Sequence, residues 1–182
     1  MGETFKELNE ESIYLIDTFP IPSIDNSRAR RSHLHQGKEF WGYQSSKKRY
    51  YYGLKLHLMV TKEGLPVEFF LTPASFSDTK GLELFDFDLP EGSEVYGDKA
   101  YNYYGIEDAL AGAEIYLIPI RKKNSKRSLP PWRQYLQSLH RKAVETSGSL
   151  IERILPRSIH AVTSEGFEIK ILLFLLASYL RH

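Results

Sequence analysis

The sequence predicts an α/β fold: a mixed sheet whose first three strands are antiparallel, continued by βαβ units and flanked by helices. Three observations lead there. An apolar run and an alternating hairpin come first, and short strand and helix patterns then take turns to the C-terminus. With 182 residues, 42% hydrophobic and 26% charged, the chain has the composition of a globular protein with a sizeable core, which excludes wholesale disorder. The length suits one domain, taken as residues 1–182.

Element by element, Ser12 to Phe19 is a short apolar run bounded by Asn9 and Pro20, a buried strand. Pro20 to Ser46 is rich in Pro, Ser, Asn and Gly and reads as a long connection. Tyr50 to Val60 alternates, with Leu54, Leu56, Leu58 and Val60 on one face and Lys55, His57 and Met59 on the other. Lys62-Glu63-Gly64 is a turn into a second hairpin strand, Pro66 to Thr72, whose leading proline marks an edge or a strand start. Asp78 is read as the N-cap of a helix over Thr79 to Phe85. Glu94 to Gly97 is a strand, Tyr104 to Leu110 a helix, and Glu114 to Ile120 a strand. Pro130-Pro131 opens a helix running to about Leu155, and Glu168 to Leu180 is the last helix.

The chain has no cysteine, which excludes a disulfide framework, thiolate-bound zinc, iron–sulfur clusters and a thiol nucleophile, and fits a cytoplasmic location. Met1 to Glu11 is acidic and polar, unlike a signal peptide. The longest apolar run, Ile171 to Leu180, is about half the roughly 20 residues of a membrane span, so a core helix is expected and no membrane partner. A net charge of +1 conceals segregated blocks. Residues 27–57 and 121–142 are basic, the second without a single acid, while 1–26 and 58–120 are acidic. Aromatic residues interleave both basic blocks: Phe40, Trp41, Tyr43 and Tyr50 to Tyr52, then Trp132 and Tyr135. Cations beside rings suit a phosphate backbone carrying bases that stack.

Most acids here stand where acids cost little. Asp17 does not, lying among Ile13, Leu15, Ile16 and Phe19, where a carboxylate must be paired, hydrogen-bonded or metal-bound. Asp98 ends the strand Val95-Tyr96-Gly97, and Gly97 leaves backbone room for something to approach. Glu145, in the long helix, has Arg141 four residues earlier as a pair or phosphate contact. Two Asp and a Glu converging would suit Mg²⁺ or Mn²⁺, and two such ions about 4 Å apart can clamp a phosphodiester. The alternative gives Asp17 to an ion pair, Asp98 to a helix cap and Glu145 to an exposed face.

Ile16-Asp17-Thr18, Tyr52-Gly53-Leu54-Lys55-Leu56-His57, Pro73-Ala74-Ser75-Phe76-Ser77-Asp78 and Gly97-Asp98-Lys99-Ala100-Tyr101 resemble successive blocks of the DDE insertion-sequence transposases. Arg141-Lys142-Ala143-Val144-Glu145 is similar to the block around that family's third acid. The resemblance implies an RNase H-like fold, the first Asp on the first strand and the second ending the fourth. It implies Asp17, Asp98 and Glu145 as catalytic, metal-binding acids for two Mg²⁺ (or Mn²⁺) ions. The implied chemistry is hydrolysis at the ends of a DNA element, freeing 3′-OH groups that attack target DNA, with no covalent protein–DNA intermediate. Implied partners are double-stranded DNA, as element ends and target, and a second subunit in a homodimer; the implied location is cytoplasmic, with the nucleoid.

Two departures bear on this. Relatives carry a Tyr before that Arg and a Lys seven residues after the Glu; here these positions are Ser138 and Glu152, and Glu152 is a rival third acid. Relatives also carry a DNA-recognition region before the first Asp, whereas only residues 1–16 precede Asp17 here, as expected of a catalytic-domain fragment, a truncated gene product or one part of a split element. Two other activities stay open: an RNase H-like nuclease without strand transfer, and an inactive basic DNA-binding remnant.

Phosphate contacts are assigned to Arg28, Arg30 and Arg31 after the first strand, to Arg121, Lys122, Lys123, Lys126 and Arg127 after the last, and to Arg141. His33-Leu34-His35 is read as a solvent-exposed loop pair rather than a metal chelate, and His57 as a half-exposed sheet histidine. Asp78 is left to its cap, and Asp25, Asp86 and Asp88 to solvent.

Overall fold

A computed structural model describes residues 11–45, 47–121, 124–139 and 159–179. Its centre is a six-stranded mixed sheet: β1 (Ile13–Ile24), β2 (Trp41–Gln44), β3 (Arg49–Thr61), β4 (Pro66–Pro73), β5 (Glu94–Gly97) and β6 (Tyr116–Pro119). The helices are α1 (Asp78–Leu82), α2 (Tyr104–Gly112), α3 (131–139) and α4 (Ser164–Tyr179), with 3₁₀ turns at Asn26–Arg31, Lys38–Phe40 and Lys99–Tyr101. This is the mixed α/β architecture that the element order predicts.

β1 pairs antiparallel with β3, and β3 with β4; β5 and β6 then add in parallel on the other side of β1. Leaving β2 aside, the sheet runs β4-β3-β1-β5-β6, so the antiparallel meander and the parallel half meet at β1. The alternation seen along Tyr50 to Val60 sorts two cores. Leu54, Leu56, Leu58 and Val60 join Leu15, Tyr96 and Ile118 beneath Phe167, Ile171 and Leu175, one stripe of α4 at four-residue spacing. Met59 joins Tyr14, Ile16, Val95 and Leu117 on the opposite face, covered by Leu82, Phe85, Phe87 and Tyr101. The first core thus loses its apolar surface to the C-terminal helix and the second to the segment that follows β4.

Several elements differ from their sequence reading. β1 does not stop at Phe19 but runs to Ile24 through Pro20 and Pro22. The prolines are tolerated because β5 reaches only Leu15 on that side, so their missing N–H groups fall on an unpaired edge. The expected long connection contains β2, a four-residue strand on Arg49–Tyr52. β2 and β4 lie end to end along one side of β3, so the antiparallel part has four strands rather than three. β6 is trimmed to Tyr116–Pro119, and α4 begins at Ser164, before the expected Glu168. Gly53 needs to be glycine, since a Cβ there would meet Ile21 O at 2.2 Å and Ser23 N at 2.6 Å, at the bulge where β1 shifts register on β3. No helix among the described residues is long and apolar enough to cross a membrane.

Candidate active site

β1 and β5 set the site. They pair in parallel, with Ile13 opposite Glu94, Tyr14 opposite Val95 and Leu15 opposite Tyr96. Carried two residues further, the same register brings Asp17 level with Asp98, and adjacent strands lie only about 5 Å apart. Period-2 alternation puts Asp17 on the side of Leu15 and Asp98 on the side of Tyr96, both members of the core under α4, so the two carboxylates share one face of the sheet. Both line a cleft of about 450 Å³ at the strand ends.

Backbone donors orient each acid. Asp17 Oδ1 accepts from Thr18 N at 2.8 Å. Asp98 is the N-cap of the 3₁₀ turn Lys99–Tyr101, its Oδ1 accepting from Ala100 N at 2.6 Å. The cap and the ligand reading of Asp98 are therefore compatible, because a carboxylate has two oxygens and several lone pairs. Gly97 does leave room, but Tyr101 and Ile16 use it: a Cβ on Gly97 would sit 2.8 Å from the Tyr101 ring and 2.9 Å from Ile16.

A third carboxylate lines the same cleft, and the sequence reading set it aside. Ser77, not Asp78, caps α1, its Oγ accepting from Lys80 N at 3.1 Å. Asp78 is thereby released to face the cleft, where its Oδ1 accepts from Lys55 Nζ at 2.8 Å and Thr18 Oγ1 at 3.2 Å. Lys55 Nζ also donates to Phe76 O at 2.6 Å, fixing the ammonium in place. Thr18 thus bridges Asp17 and Asp78, by its amide to one and its hydroxyl to the other. The charge of all three acids reaches the Tyr101 phenol. Burial first, then the fields of Asp17, Asp78 and Asp98, push its pKa well above the usual tyrosine value, opposed only by the Thr18 hydroxyl. Tyr51, on the cleft wall, is raised by burial and then by Asp78.

From the far wall, Gln137 of α3 lines the cleft and is pinned by Nε2–H donating to Ile118 O at 3.0 Å. Glu145, its rival Glu152 and Arg141 fall within 140–158, outside the described residues, as do Lys122 and Lys123. Among the described residues no group of three or more Asp, Glu or His side chains is set to hold a metal ion. What is present fits a hard cation in kind: three carboxylates against the two lysines Lys55 and Lys99, of which Lys55 is paired with Asp78, and neither thiol nor imidazole on the cleft wall.

The transposase DDE domain family matches this chain over residues 7–157. The chain belongs to that family. No curated protein sequence matches it. Among solved structures, the DDE domain is similar to a piggyBac transposase chain from a synaptic complex with hairpin DNA, at 14% identity and a TM-score of 0.43. That likeness covers 69% of this chain and 26% of the piggyBac chain, so the DDE domain spans about a quarter of that protein's length.

The other candidates divide. Arg28, Arg30 and Arg31 are exposed on their 3₁₀ turn around the buried Ala29, and Lys126 is exposed. Arg121 has a structural task instead. Its guanidinium donates to both Glu107 oxygens at 2.6 and 2.9 Å, with the pair nearly buried. Arg127 shares Glu107 at 3.3 Å and pairs with Asp108 at 2.8 Å, over the Tyr104 ring. The sequence reading missed this because the partners lie in the acidic block, brought close only when α2 packs on β6. His33 is exposed, but His35 is buried, its Nδ1 3.0 Å from Ser23 Oγ and its Nε2 3.7 Å from Glu168 Oε1. Burial lowers its pKa, against the pull of Glu168. It ties the loop to α4 and does not chelate with His33. His57 is fully buried rather than half-exposed, stacked on Phe70 with Nε2 2.9 Å from Thr72 Oγ1. Burial lowers its pKa to about 4, and Asp78 only partly offsets this, so the ring is neutral. Asp25, Asp86 and Asp88 are exposed.

Proposed function

We propose that this DDE domain cuts DNA phosphodiester bonds at the ends of a DNA element and joins the freed 3′-OH groups to target DNA. Asp17, Asp98 and Glu145 would hold Mg²⁺ or Mn²⁺. One observation carries the reading: Asp17 and Asp98 line one cleft, just past the last β1–β5 pair, Leu15 with Tyr96, whose register carried two residues on makes them level. Two carboxylates side by side repel each other, and a fold that builds such a pair at parallel strand ends is organised for a cation or a reacting proton. Bound there, a divalent cation supplies Lewis-acid polarisation of the phosphate and lowers the pKa of attacking water.

The chain's own residues do the rest. Thr18 orients Asp17 through its amide and links it to Asp78 through its hydroxyl. Asp78 holds Lys55, a cation on the cleft wall whose Nζ also donates to Phe76 O. The exposed Arg28, Arg30, Arg31 and Lys126 offer phosphate contacts of the kind that position a duplex without reading its bases. Gln137 anchors α3 at the cleft, and Glu145 follows it in sequence within the long helix that the sequence predicts.

The test is incubation of supercoiled plasmid with the protein and Mg²⁺ or Mn²⁺. Nicks bearing 3′-OH ends, and joined molecules when a cut end is supplied, are expected from the wild type and not from Asp17→Asn. Nicking without joining would reduce the assignment to a nuclease. No metal-dependent nicking above the Asp17→Asn background would overturn it.

A further inference from the structure

We infer that the β2–β3 hairpin is a binding site for unpaired bases of a DNA strand, with Tyr43 and Tyr50 as the stacking platform and the basic turn as its phosphate contact. The inference deepens the DNA-processing reading above and rests on it.

Tyr43 and Tyr50 are directly opposed across β2 and β3, their ring centroids 5.0 Å apart. Such a cross-strand aromatic pair stiffens a hairpin, which accounts for two rings but not for their exposure. Tyr43 is 54% and Tyr50 65% exposed, while their sequence neighbours Gly42, Tyr51 and Tyr52 are buried. The strand could have turned polar side chains to water at these positions; instead two large apolar faces stand exposed, Tyr43 at the lip of a charged cleft and Tyr50 packed beside it. Tyr43, Gln44 and Ser45 all line the cleft that holds Asp17, Asp78 and Asp98, so the platform is continuous with the candidate active site.

Charge complements the rings. Lys47, Lys48 and Arg49 are all exposed in or beside the turn, and Lys38 is exposed just before β2. The single acid in residues 27–57 is Glu39. A polyanion is drawn to such a tip, and rings beside it offer every base a stacking surface whatever its identity. In a duplex the base faces are covered by their neighbours, so the platform selects unpaired nucleotides.

The test compares the full-length wild type with Y43L/Y50L and Y43F/Y50F by fluorescence anisotropy at one fixed salt concentration. The probes are a thymidine homopolymer of about 16 nucleotides and a duplex of similar length. Stacking is worth about 1–3 kcal/mol per base, so the leucine pair is expected to bind the single strand at least about tenfold more weakly. Its duplex affinity should stay within roughly twofold, because the phosphate contacts remain. The phenylalanine pair keeps the π-faces and should match the wild type. Single-strand binding by Y43L/Y50L within roughly twofold of the wild type, or equal losses on both probes, overturns the inference. Should the leucine pair fail to fold, ultraviolet cross-linking of wild-type protein to a bromodeoxyuridine-substituted single strand decides. Adducts on Tyr43 or Tyr50 support the site, and adducts only elsewhere overturn it. A wild type that binds and nicks duplex but shows no ring-dependent single-strand binding loses only this site. One that binds neither probe loses the proposed function too.

Discussion

Asp98 offers the cleanest separation of folding from chemistry, because one substitution keeps one role and removes the other. Its Oδ1 caps the Lys99–Tyr101 turn by accepting from Ala100 N at 2.6 Å. Asn caps as well as Asp, whereas Ala costs about 1 kcal/mol at such a position. In a chain of 182 residues 1 kcal/mol shifts Tm by about 2–4 °C. Asp98→Asn should therefore melt within about 2 °C of wild type, and Asp98→Ala about 2–4 °C lower. The chemistry should part company with the stability. Asn brings a neutral carbonyl where the metal reading needs an anion. Residues that merely support a metal ligand already cost about 10–100-fold in affinity or activity when changed, so a direct ligand should cost at least about 100-fold. Both Mn²⁺ affinity by calorimetry and metal-dependent nicking should fall by that factor in Asp98→Asn. Duplex binding should stay the same or tighten, since one negative charge leaves the cleft proposed to accept phosphates. Nicking and Mn²⁺ affinity within about tenfold of wild type would remove Asp98 from the metal site.

Glu107→Ala strands the guanidinium of Arg121, whose side chain is only 14% exposed, and should destabilise the fold by about 3 kcal/mol. Thermal denaturation checks it, and a loss below about 1 kcal/mol would mean that the pair is not structural. His57 has its pKa lowered by burial to about 4, below the usual 6.5, so the unfolded chain binds the extra proton first. Stability should be fully present above about pH 6.5 and fall as pH drops toward 4, by roughly 2 kcal/mol at pH 5 relative to pH 7. The buried His35 adds to this in the same direction, and His57→Gln should flatten the slope in denaturant titrations across that range. Gly81→Ala would place a methyl 2.3 Å from the His57 ring, which is held between Phe70 and the helix, and should cost about 1–3 kcal/mol in denaturant unfolding. No measurable loss would show that the ring can move aside.

Much of the fold is legible because its signals are local. The alternation of Leu54, Leu56, Leu58 and Val60 identifies β3 and its core face without any neighbour, and Glu94–Gly97 is recognisable between its turns. Asp17 stands out because a carboxylate in an apolar run demands a partner. β2 leaves no such mark, because four residues around Gly42 are a strand only by virtue of pairing with Arg49–Tyr52. The length of β1 is hidden for a related reason: prolines end a strand unless the edge they face is empty, and emptiness is a property of the sheet.

At the site the division is sharper. Residue chemistry alone singles out Asp17 and Asp98 and separates the acidic from the basic blocks, because charge, hydropathy and periodicity are properties of neighbouring residues. Which charges meet is a property of packing. Only the fold cancels Arg121 against Glu107, buries His57 in its neutral form, and hands the cap of α1 to Ser77 so that Asp78 turns toward Thr18 and Lys55. The cap itself is local, but the other contacts join residues 14 to 60 positions apart, and electrostatic and hydrogen-bond energies follow distance in space, which the order of residues does not contain.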